Sequence, residues 1–154
     1  MLKKYPRASL ILAAVALAGC GKKEPTVLTL QGDTLIGIAR MTFANGVKSA
    51  ECAFTVRASA KGPEGSSVTL TGGRVVYQLQ ESKDTIMKRP VEKENLPEFF
   101  DKLTIDAGST VESKRQGISL SQPPLPLRGT VTFNYIAKGT TESKTTEPYV
   151  FTCH

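Results

Sequence analysis

Apolar and polar side chains alternate along several short runs of this chain. The alternation is clearest over residues 131–137, where Val, Phe, Tyr and Ala occupy every second position, and over residues 149–153. Successive side chains of a β-strand point to opposite faces, so a period of two predicts strands with one buried face. Residues 27–30 also read as a strand. We therefore predict that the chain is built mainly from strands.

Two neighbouring runs, residues 67–71 and 74–80, have the same strand-like character. Gly72 and Gly73 separate them, and paired glycines within a strand pattern predict a bulge or a tight bend. The sequence therefore predicts two strand segments that meet at a bulge or a tight bend.

The dipeptide Asn45-Gly46 lies between two further runs, residues 35–43 and 47–59. Asn-Gly is the preferred pair in the two-residue turn that joins antiparallel strands, so the sequence predicts a β-hairpin. The apolar residues of both strands then share one face, and a shift of one residue would separate them. The turn predicts five facing pairs: Ala44 with Val47, Met41 with Ala50, Ala39 with Cys52, Gly37 with Phe54, and Leu35 with Val56.

One segment departs from the strand pattern. Asn95 can cap a helix and Glu98 stands three residues later, as in a capping box, so residues 95–103 predict a short helix. Residues 120–127 contain three prolines, which lack the donors of a central strand and predict an edge or crossover segment. Residues 138–147 are rich in Thr, Gly and Lys and predict a solvated hairpin loop.

Strands separated by turn signals, together with one short helix, predict an antiparallel β-sandwich of the immunoglobulin-like or transthyretin-like kind. The chain contains no Trp. The immunoglobulin signature of a central Trp between paired cysteines is therefore absent.

The first twenty residues differ from the rest. Lys3, Lys4 and Arg7 precede a run over residues 8–18 that is apolar except for Ser9, and no acidic residue occurs in this stretch. A membrane-spanning helix needs about 20 apolar residues, so the shorter run predicts a secretory signal. Setting aside its three cations lowers the formal net charge from +6 to +3, which removes most of the case for nucleic-acid binding.

The segment Leu17-Ala18-Gly19-Cys20 resembles the lipobox of bacterial lipoproteins. The resemblance implies that the Cys20 thiol receives a diacylglycerol, that the chain is cut before Cys20, and that the new amine is acylated. Two or more acyl chains hold a protein firmly on a membrane. An ordinary signal peptide with Cys20 near the cut is the alternative.

By analogy with enteric lipoproteins, Gly21 lacks the aspartate that retains proteins in the inner membrane. The resemblance therefore implies the periplasmic face of the bacterial outer membrane, with the inner membrane as the alternative. The chain then divides into a signal peptide (1–19), a lipidated N-terminus and tether (20–26), and one β-sandwich domain (27–154).

Cys52 and Cys153 remain once Cys20 is assigned to the lipid. An even pair of cysteines in the oxidising periplasm favours a disulfide. The bridge would tie the last strand to an early one and close a loop of about 100 residues. A buried pair of free thiols is the alternative, and no Cys-x-x-Cys spacing indicates redox chemistry.

Catalytic chemistry has few candidates in this sequence. The single histidine is the final residue, His154, so nucleophilic triads and metal sites built from His and thiolate are poorly served. Glu92, Glu94 and Glu98 could supply a carboxylate pair for glycoside hydrolysis, but intervening lysines favour a solvated loop. We predict that the chain is not an enzyme and that it has no cofactor.

Two basic pairs, Lys88-Arg89 and Lys114-Arg115, are predicted to lie in loops. They are candidate surface contacts for acidic lipids, lipopolysaccharide or peptidoglycan. A solvated surface is the alternative interpretation.

The favoured function is a non-catalytic structural or interaction module of the cell envelope, anchored by acyl chains. Its protein partner would contact exposed strand edges or loops, since an edge offers unpaired backbone groups. The alternative is a binding protein for a cell-wall glycan or small ligand, with Tyr77, Tyr135 and Tyr149 as aromatic contacts. A carboxylate-dependent hydrolase is the least favoured hypothesis.

Overall fold

The computed structural model describes residues 24–32, 40–44, 47–121 and 126–153. In that part of the chain the backbone forms twelve β-strands and one short α-helix, α1 (Leu96–Phe99). The strands are β1 (Val27–Gln31), β2 (Arg40–Ala44), β3 (Val47–Phe54), β4 (Arg57–Lys61), β5 (Ser67–Leu79), β6 (Thr85–Val91), β7 (Thr104–Asp106), β8 (Thr110–Glu112), β9 (Gln116–Ser121), β10 (Leu127–Ala137), β11 (Ser143–Thr145) and β12 (Tyr149–Cys153).

These strands form three antiparallel sheets within the described residues. The largest has six strands in the order β11-β10-β5-β6, with β12 also paired to β10 and β7 also paired to β5. The other two contain three strands each, in the orders β1-β4-β8 and β2-β3-β9. Side chains from all three sheets meet in one hydrophobic core. The structure therefore confirms the predicted mainly β, antiparallel sandwich with a short helix.

Strand β10 shows the alternation that the sequence predicts. Its buried positions are every second residue: Leu127, Gly129, Val131, Phe133, Tyr135 and Ala137. The intervening side chains are more exposed, because the pleat of the strand turns them to the opposite face. Strand β12 likewise buries Phe151 and Cys153 on one face.

Strand β5 corrects the prediction of two strands at residues 67–71 and 74–80. It runs unbroken for 13 residues through both glycines. Asn134 of β10 lies opposite Gly72 and Tyr135 lies opposite Leu70, so one residue of β5 is skipped in the ladder. The irregularity predicted from the paired glycines is thus a bulge that the long strand absorbs without breaking.

The predicted hairpin is confirmed where the structure describes it. β2 and β3 pair with Ala44 opposite Val47 and Met41 opposite Ala50. The turn at Asn45-Gly46 and the partners predicted within residues 35–39 lie outside the described residues.

The prediction of one continuous strand over residues 47–59 is wrong, because the chain leaves one sheet at the end of β3 and enters another at the start of β4. Val56 leaves the ladder and exchanges two hydrogen bonds with Ser113: the Val56 amide donates to the Ser113 hydroxyl (2.9 Å), and the Ser113 amide donates to the Val56 carbonyl (2.8 Å). Both residues are buried. A buried backbone group needs a partner, and this exchange supplies one at the break.

The helical prediction over residues 95–103 is too long. α1 is a single turn preceded by a 3-10 turn at Lys93–Asn95, and the Asn95 side chain makes no capping hydrogen bond. Phe100 is already extended, with φ −132° and ψ 138°. The side chains of consecutive residues in a helix point about 100° apart. Because the backbone becomes extended at Phe100, both Phe99 and Phe100 reach the core and are fully buried.

The segment predicted as a loop over residues 138–147 contains β11, which pairs with β10. Just after it, Thr146 is buried, and its backbone amide and hydroxyl form hydrogen bonds with the carbonyl and amide of Phe133 (2.9 and 3.1 Å). The segment therefore covers the outer side of β10. Of the proline-containing segment, residues 120–121 end the edge strand β9, Pro126 lies beside Gln80, and residues 122–125 lie outside the described residues.

Aromatic rings form the centre of the core in two groups. Phe133 contacts Phe99 and Phe100 edge to face, with ring centroids 5.8 and 5.2 Å apart. Phe151 stacks on Phe54 at 4.6 Å and also covers Gly129, where a Cβ atom would lie 1.9 Å from the ring. A glycine is therefore required beneath Phe151, because any side chain there would displace the ring.

Ionisation of Tyr77 gives the fold a testable sensitivity to alkaline pH. Burial raises the pKa of Tyr77 from 10.0 to about 12, although the charge of Arg89 acts in the opposite direction. Between pH 10 and 12 the unfolded chain loses the phenolic proton while the folded chain keeps it. Stability should therefore be intact below pH 10 and fall as the pH rises through this window, by about 1.4 kcal/mol per unit.

Tyr77→Phe should remove this part of the pH dependence. Urea unfolding of both chains at pH 9 and pH 11 measures it, with the wild-type chain losing more stability than the variant. Parallel losses in the two chains would contradict the assignment to Tyr77.

Candidate functional site

The two cysteines predicted to pair form a disulfide in the structure. Cys52 and Cys153 are bonded, with Cα atoms 5.9 Å apart and a sequence separation of 101. Cys52 lies in β3 and Cys153 ends β12, so the bond joins two different sheets. Both residues are buried, with exposed fractions of 2% and 0%.

Arg89 corrects the prediction that the first basic pair lies in a loop, because Lys88 and Arg89 belong to strand β6. The Arg89 guanidinium donates to the Glu98 carboxylate at 3.2 Å and lies 5.7 Å from the centre of the Phe99 ring. It thus contacts α1 from the side of β6. Lys88 is exposed.

The second basic pair lies in the predicted loop, between β8 and β9. Lys114 forms an ion pair with Asp101 at 2.6 Å and donates to the carbonyl oxygen of Pro97 at 2.9 Å. Arg115 forms an ion pair with Glu51 at 3.0 Å. These pairs are exposed, where an ion pair contributes about 0–1 kcal/mol, so their main effect is to neutralise surface charge.

The structure therefore brings Arg89 and Lys114 to the same helical turn from two sides, a grouping that the sequence did not reveal. Their acidic partners, Glu98 and Asp101, flank the end of α1. Glu98, which the sequence offers as a candidate for carboxylate chemistry, forms an ion pair with Arg89. Three of the four basic side chains predicted as surface contacts are thus bound to acids of the same chain.

Strand β6 is an exposed edge strand of the six-stranded sheet. It ends the strand order, and six of its seven residues are exposed or half-buried. Ile86 and Met87 are each 36% exposed, so two large apolar side chains of this strand reach the solvent. Sequence patterns missed this strand because neither of its faces is fully covered, so its apolar and polar residues do not alternate.

The tyrosines considered for a glycan site do not form an open surface. Tyr77 and Tyr135 are 2% and 3% exposed and belong to the core, and Tyr149 is partly buried against Phe151. A groove of about 480 Å³ lies elsewhere, at the end of the sandwich where the described chain begins. Charged side chains of both signs line it: Glu24, Glu64, Lys138 and Lys144.

Within the described residues, no group of three or more His, Cys, Asp or Glu side chains is placed to hold a metal ion. The same residues include no helix with the length and hydropathy needed to cross a membrane. His154 and Cys20 lie outside the described residues.

No protein-family model and no curated protein sequence matches this chain. The X-ray structure of Northeast Structural Genomics Consortium target SoR45 is similar to it over 82% of this chain and 84% of that chain, with a TM-score of 0.53 and 9% identity. At this identity the similarity shows the fold alone. The CooA pilin subunit from enterotoxigenic Escherichia coli matches over 84% of this chain and 97% of that chain at 12% identity, but its TM-score of 0.26 supports no inference.

Proposed function

We propose that this chain is a lipid-anchored, non-catalytic interaction module of the bacterial cell envelope. The observation that carries the proposal is the sequence Leu17-Ala18-Gly19-Cys20 directly after a basic start and a short apolar run. A lipobox in this context supplies both an export signal and a thiol for acylation. The residue after it, Gly21, favours the outer membrane.

The disulfide supports an oxidising location. Disulfides persist in the bacterial periplasm and are rare in the cytosol, where thiols are kept reduced. The Cys52–Cys153 bond is buried between two sheets, which is the placement expected of a structural bond. With Cys20 assigned to the lipid, every cysteine of the chain has a role.

The outer edge of β6 is the surface that we assign to a protein partner. An edge strand offers unpaired N–H and C=O groups to which another strand can add. On β6, Ile86 and Met87 add apolar contact, while Lys88 and Pro90 are residues that typically keep an exposed edge from pairing indiscriminately. This combination suits a selective partner.

Metabolic labelling tests the anchor. Bacteria that produce the chain and are fed an alkyne fatty acid should attach the label to the wild-type chain and not to Cys20→Ser. The double variant Cys52→Ala/Cys153→Ala is the matched control, and it should keep the label because its lipobox is intact. Absence of label from the wild-type chain would refute the anchor.

In the same cells, a photo-crosslinking side chain at Lys88 tests the partner edge. We expect a discrete crosslinked protein from this position and none from Glu112 on β8, which is also an exposed strand position. Crosslinks of equal yield and identity at both positions would remove β6 from the proposal while leaving the anchor intact.

A further inference from the structure

Three loops meet at one end of the sandwich, which we call the entry end. They are the β4–β5 loop, the β7–β8 turn and the β10–β11 loop. Backbone hydrogen bonds tie them together: Ala107 donates to Ser66 at 2.9 Å, Gly108 donates to Ala60 at 2.8 Å, and Lys138 donates to Ser67 at 2.9 Å. The entry end is therefore one continuous surface.

The chain enters the domain at this surface. Glu24, Pro25 and Thr26 form one wall of the groove of about 480 Å³, and the β4–β5 and β10–β11 loops form the others. Thr26 is buried, and Val27 then pairs with Lys61 at the end of β4. The first described residues are thus fixed to the entry end.

The short tether limits how far this surface can move from an anchored Cys20. Three residues lie between Cys20 and Glu24 in sequence, and the four residue-to-residue steps of a fully extended chain span at most about 3.6 Å each, or about 14 Å in total. β5 starts at the entry end and runs for 13 residues, which corresponds to about 43 Å at 3.3 Å per residue. The opposite end, where Leu79 pairs with Leu127 and Leu127 with Cys153, lies well beyond the reach of the tether.

The exposed residues of the entry end include glycines at the loop tips and charged side chains. The loop tips Gly65, Gly108 and Gly139 have positive φ angles of 76°, 84° and 83°, and nothing lies within 4 Å of the position of a Cβ atom at any of them. Lys61 and Lys138 are exposed beside them, with Glu64 and Glu142 as nearby acids. Such a surface tolerates hydrated lipid head groups, and a tether this short gives it a high effective concentration at the membrane.

We propose that the entry end is the membrane-facing surface of this protein, and that the opposite end and the start of β6 point away from the bilayer. The partner of this surface is the lipid head-group layer that holds the acyl chains. The inference rests on the proposed acylation of Cys20, and it adds an orientation that acylation alone does not fix, since a tethered domain can also lie on its side.

Quenching by lipids tests the orientation. Lipidated chain in phosphatidylethanolamine and phosphatidylglycerol vesicles would carry one encoded fluorescent side chain, at Glu64 or Lys138 of the entry end or at Ser82 in the β5–β6 turn of the opposite end. All three residues are exposed. Head-group nitroxide lipids should cause a several-fold larger loss of fluorescence at Glu64 and Lys138 than at Ser82, and no loss at any position in Cys20→Ser.

The possible failures are distinguishable. Similar quenching at all three positions on bound, acylated chain would show a domain lying on its side and would overturn the orientation while leaving the anchor. Stronger quenching at Ser82 would also overturn it. A mass spectrum without acyl groups on Cys20 would refute the proposed function itself, and the orientation with it.

Discussion

Replacing Cys52 and Cys153 together by alanine should lower the free energy of unfolding by about 4–5 kcal/mol. The bond closes a loop with a sequence separation of 101 residues. Cross-linking two such distant points restricts the unfolded chain far more than the folded one, and the restriction grows with loop length. Alanine avoids leaving a buried hydroxyl without a partner at two positions that are 2% and 0% exposed.

Guanidinium unfolding of chains that also carry Cys20→Ser measures this loss without a third thiol. The parent chain unfolded in the presence of a strong reductant is the control, and its stability should fall to near that of the double variant. A loss below about 1 kcal/mol would mean that the reduced chain retains enough structure to cancel the constraint. The tie between β3 and β12 would then have little influence on stability.

Phe133→Ala should lower the free energy of unfolding by about 3–5 kcal/mol. Phe133 is fully buried, and its ring contacts both Phe99 and Phe100. Because α1 is only one turn long, the two rings hold the segment after it against β10, and removing their shared partner leaves a cavity that the surrounding sheet can fill only in part. Loss of packing should therefore extend to α1.

Chemical denaturation with circular dichroism measures the effect of Phe133→Ala. Phe133→Leu is the conservative control and should lose less, because it refills part of the cavity. Val150→Ala is the exposed control, since Val150 is 40% exposed on the neighbouring strand β12 and should change stability by less than about 0.5 kcal/mol. Equal losses for Phe133→Ala and Val150→Ala would contradict the central role of the Phe133 ring.

Local sequence signals predicted the parts of the fold that depend on neighbouring residues. The period of two over residues 131–137 predicted the buried face of β10. A strand that is buried on one side only has apolar residues at every second position, so its buried face can be identified from the sequence. The sequence also predicted that Ala44 faces Val47 in the hairpin, because a two-residue turn fixes which residues of the two strands face each other.

The errors lie where distant residues determine the local structure. The strand predicted from residue 47 breaks at Val56 because Ser113, far along the chain, takes its hydrogen bonds. The predicted helix ends at Phe100 because both Phe99 and Phe100 pack against Phe133. Strand β6 carries no alternation because its faces are only partly covered, and the sequence therefore predicts a loop at Lys88-Arg89 where the structure has a strand.

The sequence by itself determined a mainly β chain, its short helical segment and the pairing of its two remaining cysteines, and it is the whole basis for the proposed anchor at Cys20. Only the tertiary structure decided that the described strands form three sheets, that Arg89 and Lys114 converge on α1, and that β6 is an open edge. The physical reason is the sequence separation of the residues involved. Periodicity, turn chemistry and cysteine number are properties of short segments or of simple counts, whereas sheet order and ion pairing depend on which distant segments compete for the same backbone groups and charges.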